Sequence, residues 1–226
     1  MSYQWDFSGV FASWPLLAEG LLNTLKVTAV ALVFGLALGL ALALLRLSPR
    51  RFLSWPAGLV IEVFRTTPPL VQLFWFFFAL PLIANIEMTP FLAAIVTFSI
   101  QSAAFFAEVF RAGIQSIEKG QWEGALAIGM TRRQSLGRIV LPQAVTRMLP
   151  AFLERSIELM KTTTLVATIA YADLLFQANS IAQKTYRPLE TFTVAALIYF
   201  VVISGFSLLA RRLERKLAVG GESTVQ

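Results

Sequence analysis

Between two long apolar segments lies the stretch EGALAIG, Glu123–Gly129, which nine residues separate from IVLP, Ile139–Pro142. Gly129 follows a run of helix-favouring residues, and a glycine in that place predicts a helix that ends in the left-handed conformation. Thr131 and Gln134 have the spacing of a capping box, which begins a second helix, and Pro142 is expected to limit that helix. The residues alone therefore predict a helix, a sharp turn and another helix.

The composition places this hairpin in a membrane protein. Of the 226 residues, 57% are hydrophobic and 14% are charged, which lies far outside the soluble range. Several apolar runs reach the roughly 20 residues that a bilayer-spanning helix needs. The sequence predicts one all-α transmembrane domain, 1–226, with its core at about 18–212 and the hairpin loop at about 115–146. Five spans are predicted, at about Leu21–Leu45, Trp55–Leu80, Phe91–Ala112, Leu149–Ile169 and Thr191–Ala210.

The basic residues predict the orientation of the chain. The net charge is +6, but Lys and Arg cluster at the ends of apolar runs, which favours a lipid bilayer over a nucleic acid as partner. Clusters follow the first, third and fifth spans, whereas the alternate loops offer only Lys184 and Arg187. By the positive-inside rule the amino terminus is outside and the carboxyl terminus inside. The clusters comprise Arg46, Arg50, Arg51, Lys119, Arg132, Arg133, Arg138, Arg147, Arg211, Arg212, Arg215 and Lys216.

The second predicted span contains helix-breaking residues, and the fourth contains charged residues. Pro68-Pro69 removes two backbone donors from the second span and predicts a kink or an unwound turn. The fourth span carries Arg155, Glu158 and Thr162 on one stripe, and buried charges in a membrane helix mark a substrate path by default. The alternative is a self-neutralised network in which Glu158 lies between Arg155 and Lys161.

Two further pairs of charged residues have the i,i+3 spacing, Glu62 with Arg65 and Glu108 with Arg111. They are interpreted either as charge pairs near the membrane interface or as pairs that fix helix ends where two halves of a dimer move. The absence of Cys and His from the chain argues against a metal site or a disulfide.

The hairpin resembles the EAA loop of ABC-importer permeases: EAA, three residues, Gly, nine residues, Ile, any residue, Leu-Pro. The spacing fits throughout, with Gly124 replacing the first Ala. In that family the loop docks onto an ATPase subunit at the cytoplasmic face. The resemblance therefore implies an ATPase-docking role for seven residues, Glu123, Gly124, Ala125, Gly129, Ile139, Leu141 and Pro142.

Other segments are similar to the polar amino-acid permeases, the histidine, glutamine, arginine and glutamate group. FRTTPPLVQ, 64–72, resembles R-G-T-P-x-x-V-Q, with Thr66 for Gly. AEVFRAGIQSI, 107–117, with Gly120-Gln121, and KTTTL, 161–165, continue the match, which runs from about Leu21 to Leu175. Gln101 and Ser102 stand in the cavity-lining region of that group and are further candidates for the substrate path.

The resemblance implies a type I ABC-importer permease with five transmembrane helices in a bacterial cytoplasmic membrane. Its expected partners are an ABC ATPase dimer, a second permease copy or paralogue, and an extracytoplasmic solute-binding protein. No cofactor is expected in this chain, because it lacks a G-x-x-x-x-G-K-[ST] phosphate loop, and ATP with Mg²⁺ belongs to the ATPase. The chain is thus expected to be a transporter subunit without catalytic or metal-binding residues.

The expected solute is a polar amino acid that is acidic or neutral. Arginine- and histidine-type members of the group tend to place carboxylates on the fourth span. In this chain the acidic residue that often follows the Lys is the neutral Thr162, and Arg155 lies seven residues earlier on the same face. An ectoine-like compatible solute or an opine is the alternative. A secondary transporter would show paired repeats, and a membrane-embedded enzyme would need a nucleophile–base or metal constellation; the sequence shows neither.

Overall fold

The computed structural model describes residues 3–218, with side chains described through Arg212. The described part is helical throughout, with short connections. Arg215 and Lys216, which belong to the predicted basic tail, have side chains outside that part. In chain order the helices are α1 Ser8–Ala12, α2 Trp14–Arg46, α3 Arg51–Thr66, α4 Pro69–Phe74, α5 Leu80–Ala84, α6 Pro90–Gln115, α7 Lys119–Ala127, α8 Arg132–Ser135, α9 Leu141–Thr162, α10 Leu174–Thr185 and α11 Pro188–Ala218.

Within the described residues, three helices are long and apolar enough to cross a membrane: Trp14–Arg46, Pro90–Gln115 and Pro188–Arg212. Two bent pairs raise the number to five if each pair is one span. One pair joins Arg51–Thr66 to Pro69–Ala84 at an angle of 107°, and the other joins Arg132–Ile169 to Leu174–Thr185 at 48°. The predicted spans therefore correspond to helices, although α2 begins seven residues before the predicted Leu21.

Helices α2 and α6 form the centre of the bundle because small residues let their backbones approach closely. A Cβ atom added to Gly35 would lie 2.7 Å from the Cβ of Ser102, and one added to Gly39 would lie 2.8 Å from the Cβ of Phe106. Around this contact the two helices bury Val27, Ala31, Ala94, Phe98 and Ala103. The approach fixes the position of the middle of α6.

The predicted break at Pro68-Pro69 is confirmed, and Gln72 stabilises it. Helix α3 ends at Thr66 and α4 begins at Pro69. The buried Gln72 amide donates hydrogen bonds to the carbonyl oxygens of Phe64, at 3.0 Å, and Thr67, at 2.8 Å. Carbonyls that a broken helix leaves free are costly in a membrane, so this side chain replaces the bonds that the prolines remove.

The prediction that Pro142 limits its helix is wrong. A π-helical segment, Leu136–Val140, connects α8 to α9, and the helix continues through Pro142 to Thr162. The wider π turn accommodates the proline, which lacks an N–H and would clash in a regular α-helix. A second π segment, Trp75–Ala79, precedes Pro81 in the same way.

The segment after the fourth predicted span is more ordered than the sequence indicated. Residues 171–190 were expected to form a loop, but they contain α10, and Asp173 caps its start by accepting a hydrogen bond from the Phe176 N–H at 2.8 Å. The amino-terminal segment is attached to the start of α11, where the buried Glu190 accepts hydrogen bonds from the Tyr3 hydroxyl at 2.6 Å and the Asp6 N–H at 3.0 Å. These bonds attach the amino-terminal segment to the first turn of the last long helix.

Candidate functional site

One cavity, of about 200 Å³, lies between the break after α3, the middle of α6 and the end of α9. All five residues that the sequence predicted for the substrate path line this cavity, which is called the central cavity below. Gln101 and Ser102 come from α6 and are almost fully buried, whereas Arg155, Glu158 and Thr162 come from α9. Its wall also includes Arg65, Thr67, Pro69, Phe105, Phe106 and Leu159.

Only one of the two guanidinium groups that line the central cavity forms an ion pair among the described residues. Arg155 forms an ion pair with Glu158 one turn further along α9, and Lys161 does not take part in it. The Arg155 and Glu158 side chains remain 37% and 55% exposed in the single chain. The self-neutralised alternative is therefore present in part, as a two-residue pair that still faces open space.

The contacts of Arg65 differ from those that the sequence predicted. The expected pair with Glu62 does not form, and among the described side chains no carboxylate lies within ion-pair distance of Arg65. The Arg65 guanidinium instead lies over the Phe105 ring, with 5.8 Å between its Cζ and the ring centroid. Arg155 lies over the same ring at 4.7 Å. Both distances are in the range of cation–π contacts.

A second cavity of about 420 Å³ extends from the central cavity toward the hairpin, and it is called the lower cavity below. Arg65, Phe105 and Arg155 line both cavities, so they lie at the boundary between them. The lower cavity adds Glu108 and Arg147 to the wall. The predicted Glu108–Arg111 pair is confirmed, with 2.6 Å between a carboxylate oxygen and a guanidinium nitrogen.

The turn of the hairpin has the geometry that the sequence predicted. Gly129 has φ +81°, and the capping box forms in both directions, because Gln134 N–H donates to Thr131 Oγ1 while Thr131 N–H donates to Gln134 Oε1. Ala125 is buried, whereas Glu123, Gly124, Gly129, Leu141 and Pro142 are exposed and Ile139 is half-buried. Ile128, beside the turn, is 77% exposed. The tip thus offers an apolar surface that the described residues do not cover.

The cavity residues that sequence reasoning missed include Arg65, Phe105 and Arg147. Arg65 was interpreted as half of a charge pair with Glu62, either near the membrane interface or fixing a helix end, and Phe105 has no feature that distinguishes it from other aromatic residues in an apolar span. A signal existed for Arg65, because it lies three residues before the predicted break at Pro68-Pro69, where polar backbone must face a cavity or protein. Within the described residues no group of three His, Cys, Asp or Glu side chains could hold a metal ion.

A helical membrane bundle with a charged interior cavity is the architecture of a transport protein. Residues 35–219 match the family model described as "Binding-protein-dependent transport system inner membrane component". The chain belongs to that family, and within it to the permeases of polar amino-acid ABC importers.

Curated relatives cover nearly the whole chain. The glutamate/aspartate import permease protein GltK of Escherichia coli O157:H7 is 38% identical over 96% of this chain and 100% of its own length. The arginine transport system permease protein ArtQ of Bacillus subtilis is 37% identical over 94% and 97%. The glutamine transport system permease protein GlnP of Escherichia coli K12 is 38% identical over 96% and 99%.

Solved structures confirm the predicted type I importer fold. A crystal structure of an amino acid ABC transporter with histidines matches with a TM-score of 0.90 and 36% identity, over 95% of this chain and 100% of that chain. An inward-facing MetNI methionine ABC transporter matches with a TM-score of 0.75 over 89% and 96%, and at 22% identity it supports the fold alone.

Proposed function

We propose that this chain is the membrane subunit through which an ATP-driven importer passes an α-amino acid without net positive charge. One observation carries the proposal: the five predicted residues, distant in the sequence, line one cavity that contains two guanidinium groups and one carboxylate. Two arginines and one glutamate, Arg65, Arg155 and Glu158, give the wall a formal charge of +1. Such a wall attracts a carboxylate and repels a cationic side chain.

Arg155 is the residue proposed to bind the solute's carboxylate. A guanidinium presents a planar fork that matches a carboxylate in two places. In a partly desolvated membrane cavity this contact is stronger than a surface ion pair, which contributes under about 1 kcal/mol. Glu158, the neighbour of Arg155, is available for the ammonium group of the same solute. Gln101, Ser102 and Thr162 supply neutral hydrogen-bonding groups around it.

The proposed partners are an ABC ATPase dimer, a second permease copy or paralogue and an extracytoplasmic solute-binding protein. The ATPases bind and hydrolyse ATP with Mg²⁺, and this chain performs no covalent chemistry. Glu123, Gly124, Ala125, Gly129, Ile139, Leu141 and Pro142 form the proposed docking hairpin, supported by the exposed apolar tip at Ile128. Closure of the ATPases would push two such hairpins together and open the cavity outward, and hydrolysis would reset it. The chain is oriented with its amino terminus outside and its carboxyl terminus inside.

The solute site is tested by replacing Arg155. The importer is reconstituted in liposomes with its ATPase and binding protein, and the ligand of the binding protein is identified first by calorimetry. Arg155→Ala is expected to abolish uptake of that ligand, and Arg155→Lys to restore it poorly, because an ammonium cannot grip a carboxylate in two places.

Arg51→Ala is the matched control for Arg155→Ala. Arg51 is exposed at the start of α3 and lines neither cavity, so uptake should stay close to the wild-type rate. Normal uptake by Arg155→Ala, or a preference of the assembled importer for L-arginine or L-lysine, would contradict the site.

A further inference from the structure

We propose that Arg65 is a second carboxylate-binding residue, and that it selects solutes with a carboxylate in the side chain. This inference rests on the proposed function, in which Arg155 meets the carboxylate that all amino acids share. It extends that function by assigning the second guanidinium of the cavity and by narrowing the solute class to acidic amino acids.

The first step is that Arg155 and Glu158 form a matched pair. Their ion pair presents one cation and one anion side by side on α9, both partly exposed to the cavity. An amino-acid backbone carries the complementary pair, a carboxylate and an ammonium. The pair has no net charge, so it suits any zwitterion and does not distinguish one side chain from another.

The second step is that Arg65 supplies the net charge of the cavity. It lines the central cavity, and no described carboxylate lies within ion-pair distance of it. Glu62, its expected partner, is one turn away on the same helix and does not reach it. Glu108, in the wall of the adjoining lower cavity, is paired with Arg111 instead. A guanidinium that lines a cavity without a direct ion pair favours an anion from the solute.

The third step is that Phe105 fixes the positions of the two guanidinium groups relative to each other. Its ring contacts Arg65 at 5.8 Å and Arg155 at 4.7 Å, so both cations are positioned on one rigid side chain of α6. Phe105 is therefore a positioning residue. A solute that spans from the Arg155–Glu158 pair to Arg65 needs two carboxylates separated by a short side chain, which describes an acidic amino acid.

The test compares L-glutamate with L-glutamine, which has the same shape and a neutral side chain. The binding of radiolabelled L-glutamate to the purified permease–ATPase complex in lipid nanodiscs is measured, with unlabelled L-glutamine as competitor. The wild-type complex is expected to bind glutamate about tenfold or more tightly than glutamine, since a charge-assisted contact lowers the dissociation constant by about tenfold or more. Arg65→Gln should weaken glutamate binding by about the same factor and leave the affinity for glutamine within about twofold of the wild-type value.

Two variants separate this inference from the proposed function. Arg155→Gln should weaken the binding of both probes, and if it leaves both unchanged, the proposed solute site is wrong. If Arg65→Gln keeps the preference for glutamate, or if the wild-type complex has none, the assignment of Arg65 is wrong while the role of Arg155 stands. Arg51→Gln, the same change on the same helix but outside both cavities, should bind both probes as the wild type does.

The role of Phe105 is tested by a double-mutant cycle. Phe105→Leu keeps an apolar side chain but removes the ring, and it should lower the affinity for glutamate. In the Arg65→Gln background the same change should reduce the preference for glutamate no further, because the two residues act through one contact. Additive effects on that preference would show that Phe105 does not position Arg65.

Discussion

Two glycines, Gly35 and Gly39, determine how closely α2 approaches α6, and the central cavity depends on that approach. Gly35 faces Ser102 and Gly39 faces Phe106, and both partners line the cavity. A Cβ at position 39 would also lie 3.0 Å from the carbonyl oxygen of Ala103, which cannot rotate away. Any larger residue must therefore move one helix backbone.

Gly39→Leu is expected to destabilise the permease by about 1–3 kcal/mol, the usual cost of forcing extra methylene groups into a packed interior. The measurement is the melting temperature of the detergent-solubilised permease–ATPase complex, read by size-exclusion chromatography after heating. Gly205→Leu is the matched control, because a Cβ at Gly205 meets no described atom within 4 Å. Equal melting temperatures for the two variants would contradict the close packing of α2 on α6.

At this scale the sequence predicted which residues of one helix share a face, but only some of the charge pairs and none of the contacts between Arg65 and α6. Arg155, Glu158 and Thr162 follow from helical spacing, since i, i+3 and i+7 lie on one stripe. The contact of Arg65 with Phe105 could not be predicted, because it joins α3 to α6 across a bend whose angle the sequence does not specify. The same spacing rule predicted Glu108–Arg111 correctly and Glu62–Arg65 wrongly.

Among the helical elements, the hairpin of α7 and α8 is specified locally and was predicted in detail. Gly129 adopts φ +81°, a conformation that β-branched residues strongly disfavour. Gly129→Val is therefore expected to distort the turn while leaving membrane insertion intact. Nothing lies within 4 Å of a Cβ at Gly129, so the effect would come from the backbone and not from a clash.

The consequence of Gly129→Val is measured as ATPase activity of the reconstituted complex. Loss of stimulation by the loaded binding protein, or loss of the ATPase from the complex, is expected. Gly120→Ala is the control, because Gly120 lies inside α7, outside the proposed docking residues, and a Cβ there meets no described atom within 4 Å. Wild-type coupling in Gly129→Val would contradict the docking assignment.

The longer elements were less predictable because their ends depend on neighbours. Pro142 was expected to end a helix, yet a π segment carries the helix past it. Helix α10 was expected to be a loop because its polar residues conceal the helical pattern, and only the cap residue Asp173 indicated its start. By contrast, Pro68-Pro69 broke the second span as predicted. Two successive prolines lack two backbone N–H groups, and a single π turn cannot accommodate both.

For the whole molecule, the distribution of basic residues determines the expected orientation in the membrane. Arg46, Arg50 and Arg51 lie between α2 and α3, at the same end as the hairpin if the chain crosses five times. The alternate end carries the loop with Glu87 and the connection with Arg187. Since cytoplasmic loops retain Lys and Arg, the first end is expected to be cytoplasmic.

The orientation is tested with single cysteines, which the cysteine-free chain allows without further changes. Glu87→Cys and Arg50→Cys are each exposed in a short connection between helices, on opposite expected sides. In sealed right-side-out vesicles a membrane-impermeant maleimide should label Glu87→Cys at once and Arg50→Cys only after detergent is added. The reverse pattern would contradict the charge argument and would also place the hairpin outside, where no ATPase could dock. Labelling of both variants before detergent would mean that the second span does not cross, because an even number of crossings between Arg50 and Glu87 returns the chain to one side.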